Sequence, residues 1–129
     1  MRVLALDYGA ARTGVAISDP TGTIARPLGV VERAATADGL ARLRTIVREE
    51  EVELVVVGLP LTLRGEVGAQ AQDTQTFVGA LREVLPVPVE TYDERFTTSL
   101  AAGAGGSAAE DARAAAHLLE SYLRRVVGE

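Results

Sequence analysis

Two short, unbroken apolar runs most constrain what this chain can fold into. They are Val3-Leu4-Ala5-Leu6, closed by Asp7, and Leu54-Val55-Val56-Val57, closed by Gly58-Leu59-Pro60. A strand with one face in water alternates apolar and polar residues; a strand without alternation is covered on both faces. The two runs therefore predict central strands of a sheet with helices on either side.

The remaining segments fill in that plan. Residues 14–18, with Val15 and Ile17, read as a second strand. The turn Asp19-Pro20-Thr21-Gly22 leads to a third, residues 24–31. Pro27 cannot donate to a ladder, which places that strand at the periphery. Strands joined by such short turns form an antiparallel meander. Leu40, Leu43, Ile46 and Val47 then recur at helical spacing within residues 35–50. Residues 69–85 read as a second helix and 89–92 as a short strand ending at Asp93-Glu94-Arg95. Residues 97–102 suit one or two helical turns, and 109–127 a last helix. The predicted class is α/β: a mixed five-stranded sheet, an antiparallel meander followed by alternating helix and strand, flanked by helices. The 129 residues form one domain, 1–129, large enough to build a core without staples.

Composition narrows the function classes. The chain has no cysteine, which removes disulfides and thiolate metal sites. The opening apolar run is too short for a signal peptide, and nothing approaches the roughly 20 residues that cross a bilayer. The expectation is a cytoplasmic protein that does not enter a membrane. A net charge of −5 runs against a nucleic-acid binder with a broad basic footprint. Carboxylates gathered around a metal ion, however, contribute to that total. All 13 basic residues are arginine, which can grip phosphate through two donors at once.

In open α/β sheets, sites lie beyond the carboxyl ends of strands. Asp7, Gly58-Leu59-Pro60 and Asp93-Glu94-Arg95 all fall there, and Asp111 falls in the first turn of the last helix. Each has a plain structural reading alone: a polar strand end, a solvated turn, a carboxylate favoured by the helix dipole. Together they suggest carboxylates converging on one point, which repel one another unless a cation binds. Hard oxygen ligands select Mg²⁺ or Mn²⁺, and two such ions about 4 Å apart can clamp the attacking and leaving oxygens of a phosphodiester. The single histidine, His117, lies mid-helix and is assigned no role.

The motifs then stand in a known order. Leu6-Asp7-Tyr8-Gly9 is followed by Arg12-Thr13-Gly14-Val15-Ala16-Ile17-Ser18-Asp19, and then by Val57-Gly58-Leu59-Pro60-Leu61. Asp93-Glu94-Arg95-Phe96-Thr97-Thr98 comes next, and last Asp111 with Ala115, Leu119 and Ser121-Tyr122-Leu123. Over nearly its whole length the chain resembles the bacterial YqgF/RuvX family. The resemblance implies an RNase H-like fold, shared with resolvases, and a metal-dependent nuclease using Mg²⁺ or Mn²⁺. It implies Asp7, Glu94 and Asp111 as catalytic residues and metal ligands, with Asp93 either adding to the site or only orienting it. It implies that Arg12, Arg95, Thr97 and Thr98 contact the substrate phosphate or brace the site. Gly9 and Gly14 would keep the backbone close to the site, and Gly58-Leu59-Pro60 would form a wall of the cleft.

The same resemblance suggests processing of the 5′ end of precursor 16S rRNA in ribosome biogenesis, with structured or single-stranded RNA as partner and the pre-ribosomal particle as setting. Branched DNA, resolved as a Holliday junction, is the alternative substrate. A monomer suffices for end trimming, whereas a homodimer suits a two-fold junction. One stretch departs from the family pattern: residues 99–110 carry no positive charge where longer, basic segments are expected, and each lost phosphate contact weakens affinity. The glycine-rich part of that stretch reads either as a lid or as a shortened connection. Two other readings remain. A phosphotransferase or ATPase of the actin/hexokinase type also opens with an Asp-x-Gly turn, but needs two such domains. A non-catalytic ribosome-assembly binding module would suit the acidic pI and the uncharged segment.

Overall fold

The computed structural model describes residues 1–97 and 107–127. Its elements run β1 (Val3–Asp7), β2 (Arg12–Ser18), β3 (Ala25–Glu32), α1 (Ala37–Glu49), β4 (Leu54–Leu59), α2 (Ala69–Val84), β5 (Val89–Asp93) and α3 (Ala108–Tyr122). A single 3-10 turn, Glu94–Phe96, follows β5, and α3 runs on into a π-helical turn, Leu123–Val127. The sheet order is β3-β2-β1-β4-β5. The β1–β2 and β2–β3 pairs are antiparallel, and β1–β4 and β4–β5 are parallel. This is the mixed sheet that the sequence predicts, with the proline-bearing β3 at its edge.

The unbroken runs are explained by two cores. Leu4, Leu6, Val55 and Val57 pack on one face with Leu43 and Val47 of α1 and Phe77, Val78 and Leu81 of α2. Val3, Ala5 and Val56 pack on the other with Ala115, Leu118, Leu119 and Tyr122 of α3. Each large side chain so buried contributes about 1.5–3 kcal/mol. The α3 face is built from small residues, Ala112, Ala115 and Ala116, so that helix lies close over β1, β2 and β3. Its start is set by a capping box in which Ser107 and Glu110 satisfy each other's backbone N–H groups.

The helical turn expected at 97–102 has only Thr97 among the described residues; a 3-10 turn not foreseen in the sequence precedes it, at Glu94–Phe96. Asp93 causes it, because its carboxylate accepts the Arg95 N–H at 2.9 Å and so caps the turn. Thr98 and the glycine-rich stretch lie outside the described residues. Among the described residues no helix is long and apolar enough to cross a membrane.

Candidate active site

The parallel pairing brings the carboxyl ends of β1, β4 and β5 side by side. Leu6 is level with Val57, and Leu59 with Asp93, so Asp7 and Glu94 leave the sheet along the same edge. Glu94 leans across β4 toward Asp7, and Gly58 makes this possible: a Cβ there would collide with the Glu94 carboxylate. The Gly58-Leu59-Pro60 segment, expected as a wall, thus also supplies the space in which Glu94 sits. Gly14 acts similarly on the other side. It is level with Asp7 in the β1–β2 ladder, and a Cβ there would strike the Asp111 backbone. Without that gap the first turn of α3 could not lie against β2, and Asp111 would not reach the edge.

The carboxyl groups do not share one environment. Burial raises the pKa of Asp7, a hydrogen bond with Glu94 partly offsets this, and the charge of Asp111 adds to the rise. Glu94 is pushed up to about 7, first by burial and then by the charge of Asp7 and the hydrogen bond between them. Both carboxyls are thus pushed toward the protonated form, because burial and mutual repulsion penalise two charges at this distance. Asp111 is placed close enough to act on Asp7 electrostatically, but its Oδ2 accepts a 2.7 Å ion pair from Arg12 Nε. Among the described residues no three His, Cys, Asp or Glu side chains are gathered into a ready cation cage. Asp7 and Glu94 are therefore brought together, and Asp111 stands beside them with an arginine in the position of a counter-ion.

The other sequence candidates fall into place around these three. Arg12 braces Asp111. Arg95 turns back on Asp93, with Nη2 2.6 Å and Nε 3.0 Å from its Oδ2. This pairing holds the Asp93 carboxyl below the usual range, and Asp93 adds its charge to the field that raises Glu94. In this geometry the Asp93 carboxylate is engaged by Arg95 and by the backbone of the turn it caps. Thr97 Oγ1 is buried and has no hydrogen-bond partner among the described residues. Gly9 and Thr13 close the β1–β2 turn through mutual 3.4 Å contacts. His117 pairs with Glu120 on the outside of α3 at 3.3 Å, away from the chemistry.

Sequence reasoning did not find the clamp beneath the turn. Tyr92 Oη and Ser121 Oγ are 2.8 Å apart in the core, and Ser121 Oγ donates to the Phe96 carbonyl at 3.1 Å. The clamp ties the segment carrying Glu94 to α3. Its only sequence signal is a serine and a tyrosine on otherwise apolar positions.

The oxygen-only donor set fits a hard divalent cation. A half-buried carboxyl pair whose members raise each other's pKa is an arrangement a divalent ion relieves, and Asp111 lies within electrostatic reach as a third oxygen donor.

A model of the family described as RuvX, Holliday junction resolvase, matches residues 1–125. A relative from Rubrobacter xylanophilus, provisionally named a pre-16S rRNA nuclease, is 48% identical over 130 residues, covering 95% of this chain and 91% of the relative. One of the same provisional name from Syntrophomonas wolfei is 36% identical over 132 residues, covering 95% and 94%. Among solved structures, T. thermophilus RuvC in complex with a Holliday junction substrate is similar with a TM-score of 0.64. It is 20% identical and covers 98% of this chain and 96% of its own, a likeness that speaks for the fold alone. The expected RNase H-like architecture is thus the one the chain adopts.

Proposed function

We propose, from the premise that this chain belongs to the RuvX family, that it is a metal-dependent nuclease trimming the 5′ end of precursor 16S rRNA. The observation that carries the reading is the half-buried Asp7–Glu94 carboxyl pair at the carboxyl edge of the sheet, with Asp111 beside it. The names of the relatives from Rubrobacter xylanophilus and Syntrophomonas wolfei support the choice of RNA. A binding module without catalysis gains nothing from holding two carboxyls in so unfavourable a setting.

Asp7 and Glu94 would hold the cation, Mg²⁺ or Mn²⁺, in exchange for the proton they share. Bound there, the ion supplies polarisation of the scissile phosphate and a water ionised near neutral pH. Asp111 would complete the oxygen set once released by Arg12. The guanidinium of Arg12, beside Asp111, would lie where it can contact the substrate phosphate. Arg95 would remain with Asp93, steadying the turn that carries Glu94.

The test is cleavage of a labelled single-stranded RNA carrying the 16S 5′ leader, with Mn²⁺, Mg²⁺ or EDTA, and of a branched DNA alongside. Metal-dependent cutting of the RNA is expected, with Asp7→Asn slower by at least about a thousandfold. Cutting of branched DNA alone would transfer the activity to junction resolution. No cutting of either would leave the binding-module reading.

A further inference from the structure

We propose that Phe96 and Arg125 form a stacking platform for one unpaired nucleobase of the substrate strand, just beyond the carboxylates; this rests on the nuclease reading above. Phe96 lies two residues after Glu94, and 47% of it is exposed. The guanidinium carbon of Arg125 stands 4.1 Å from the centre of its ring. The ring packs tilted against Tyr92 at 6.0 Å, and the residue nevertheless remains half exposed, so it is steadied from the side and still accessible.

The ring is also held in place from below. Its carbonyl accepts from Ser121 Oγ, which is bonded in turn to Tyr92 Oη in the core. A rigid aromatic loses little freedom on stacking, and every nucleobase has a face to offer it. The surroundings suit the phosphates on either side of such a base. Arg95 Nη1 reaches the Leu63 carbonyl at 3.5 Å, tying the loop between β4 and α2 to the same flank. The tip of that loop presents Leu63, 96% exposed, and the exposed Arg64. On the far side, Arg124 and Arg125 are exposed and lead to Val126, 52% exposed. In a chain with net charge −5, apolar and guanidinium groups are thus gathered where a strand leaving Asp7 and Glu94 would pass. The ligand class is single-stranded nucleic acid with little sequence preference, because stacking and phosphate contacts do not read base edges.

The chain contains no tryptophan, so Phe96→Trp provides a single reporter at the platform itself. In an Asp7→Asn background with Mn²⁺, titration with the leader RNA should quench its emission, whereas a Trp placed at Leu63 should respond less. Phe96→Leu should weaken RNA binding about tenfold, with Phe96→Trp restoring it. Unchanged Trp emission at saturating RNA overturns the platform, as does full affinity in Phe96→Leu or no binding of any single strand. Quenching alongside a wild type that cuts nothing would keep the platform and remove the nuclease. Cutting by wild type with emission unmoved would do the reverse.

Discussion

Asp7 and Asp19 are the same residue type near opposite ends of the β1–β2 hairpin, and the fold treats them in opposite ways. Asp19 sits in the β2–β3 turn, where its carboxylate accepts the N–H of Ile24 at 2.9 Å and of Thr23 at 2.8 Å, and the Thr21 hydroxyl. Those bonds hold its pKa well below the usual carboxylate range, the Ile24 N–H contributing most. Asp7 is desolvated, faces two other carboxyl groups, and is pushed up. One charge is stabilised by donors the chain brings itself; the other, on the proposed function, would be stabilised by a bound cation. Structural carboxylates are satisfied locally, whereas a carboxylate that waits for a cation is not.

The largest break in that contrast comes from Glu94→Gln. It should lower cleavage at least about a hundredfold and yet stabilise the metal-free protein. The sign follows from linkage. The folded-state pKa of Glu94 lies at about 7, above its ordinary 4.5, so its favourable contribution is complete below 4.5 and is lost as pH rises through 7. In EDTA the wild-type Tm should therefore fall over that range relative to Glu94→Gln, and saturating Mn²⁺ should reverse the difference. Parallel melting curves of the two proteins across pH would sink the idea of an unrelieved carboxyl pair.

A smaller effect is expected at Arg12. Removing the counter-ion of Asp111 by Arg12→Ala should tighten Mn²⁺ binding by roughly threefold to tenfold, measured by calorimetry. The same variant should bind RNA more weakly, with a salt slope shallower by about one. Weaker metal binding in Arg12→Ala would mean that Arg12 orients Asp111 for the cation instead of competing with it.

The smallest effect belongs to the satisfied partner. Asp19→Asn should lower Tm at neutral pH and leave cleavage unchanged. Because the folded pKa of Asp19 is depressed, its contribution is present above 3.8 and is lost as pH falls. The Tm difference between wild type and variant should close in acid. A difference that persists there would assign the effect to turn geometry and not to the carboxylate charge.

Much of this was legible beforehand, for reasons that can be named. The runs ending at Asp7 and Gly58 predicted central strands because only burial on both faces removes alternation. Pro27 predicted an edge because it lacks a donor. Motif order brought in Asp7, Glu94 and Asp111 together. What stayed hidden involved residues distant in sequence. Gly58 was read as part of a cleft wall, and only the lean of Glu94 across β4 shows it as the space that carboxylate needs. Arg12 was a candidate to contact phosphate or brace the site, and only the packing of α3 shows that it pairs with Asp111. Ser121 and Phe96 lie 25 positions apart and meet only because α3 packs over β5's end.

By itself, then, the sequence determined the elements, the edge strand and the identity of the acidic groups, because period, proline and strand-end chemistry are local properties of a chain. Only the tertiary structure decided which carboxyls touch, which are pushed toward the protonated form and which arginine faces which acid. Desolvation and charge–charge interaction depend on distances of a few ångströms between segments that the chain brings together only when it packs.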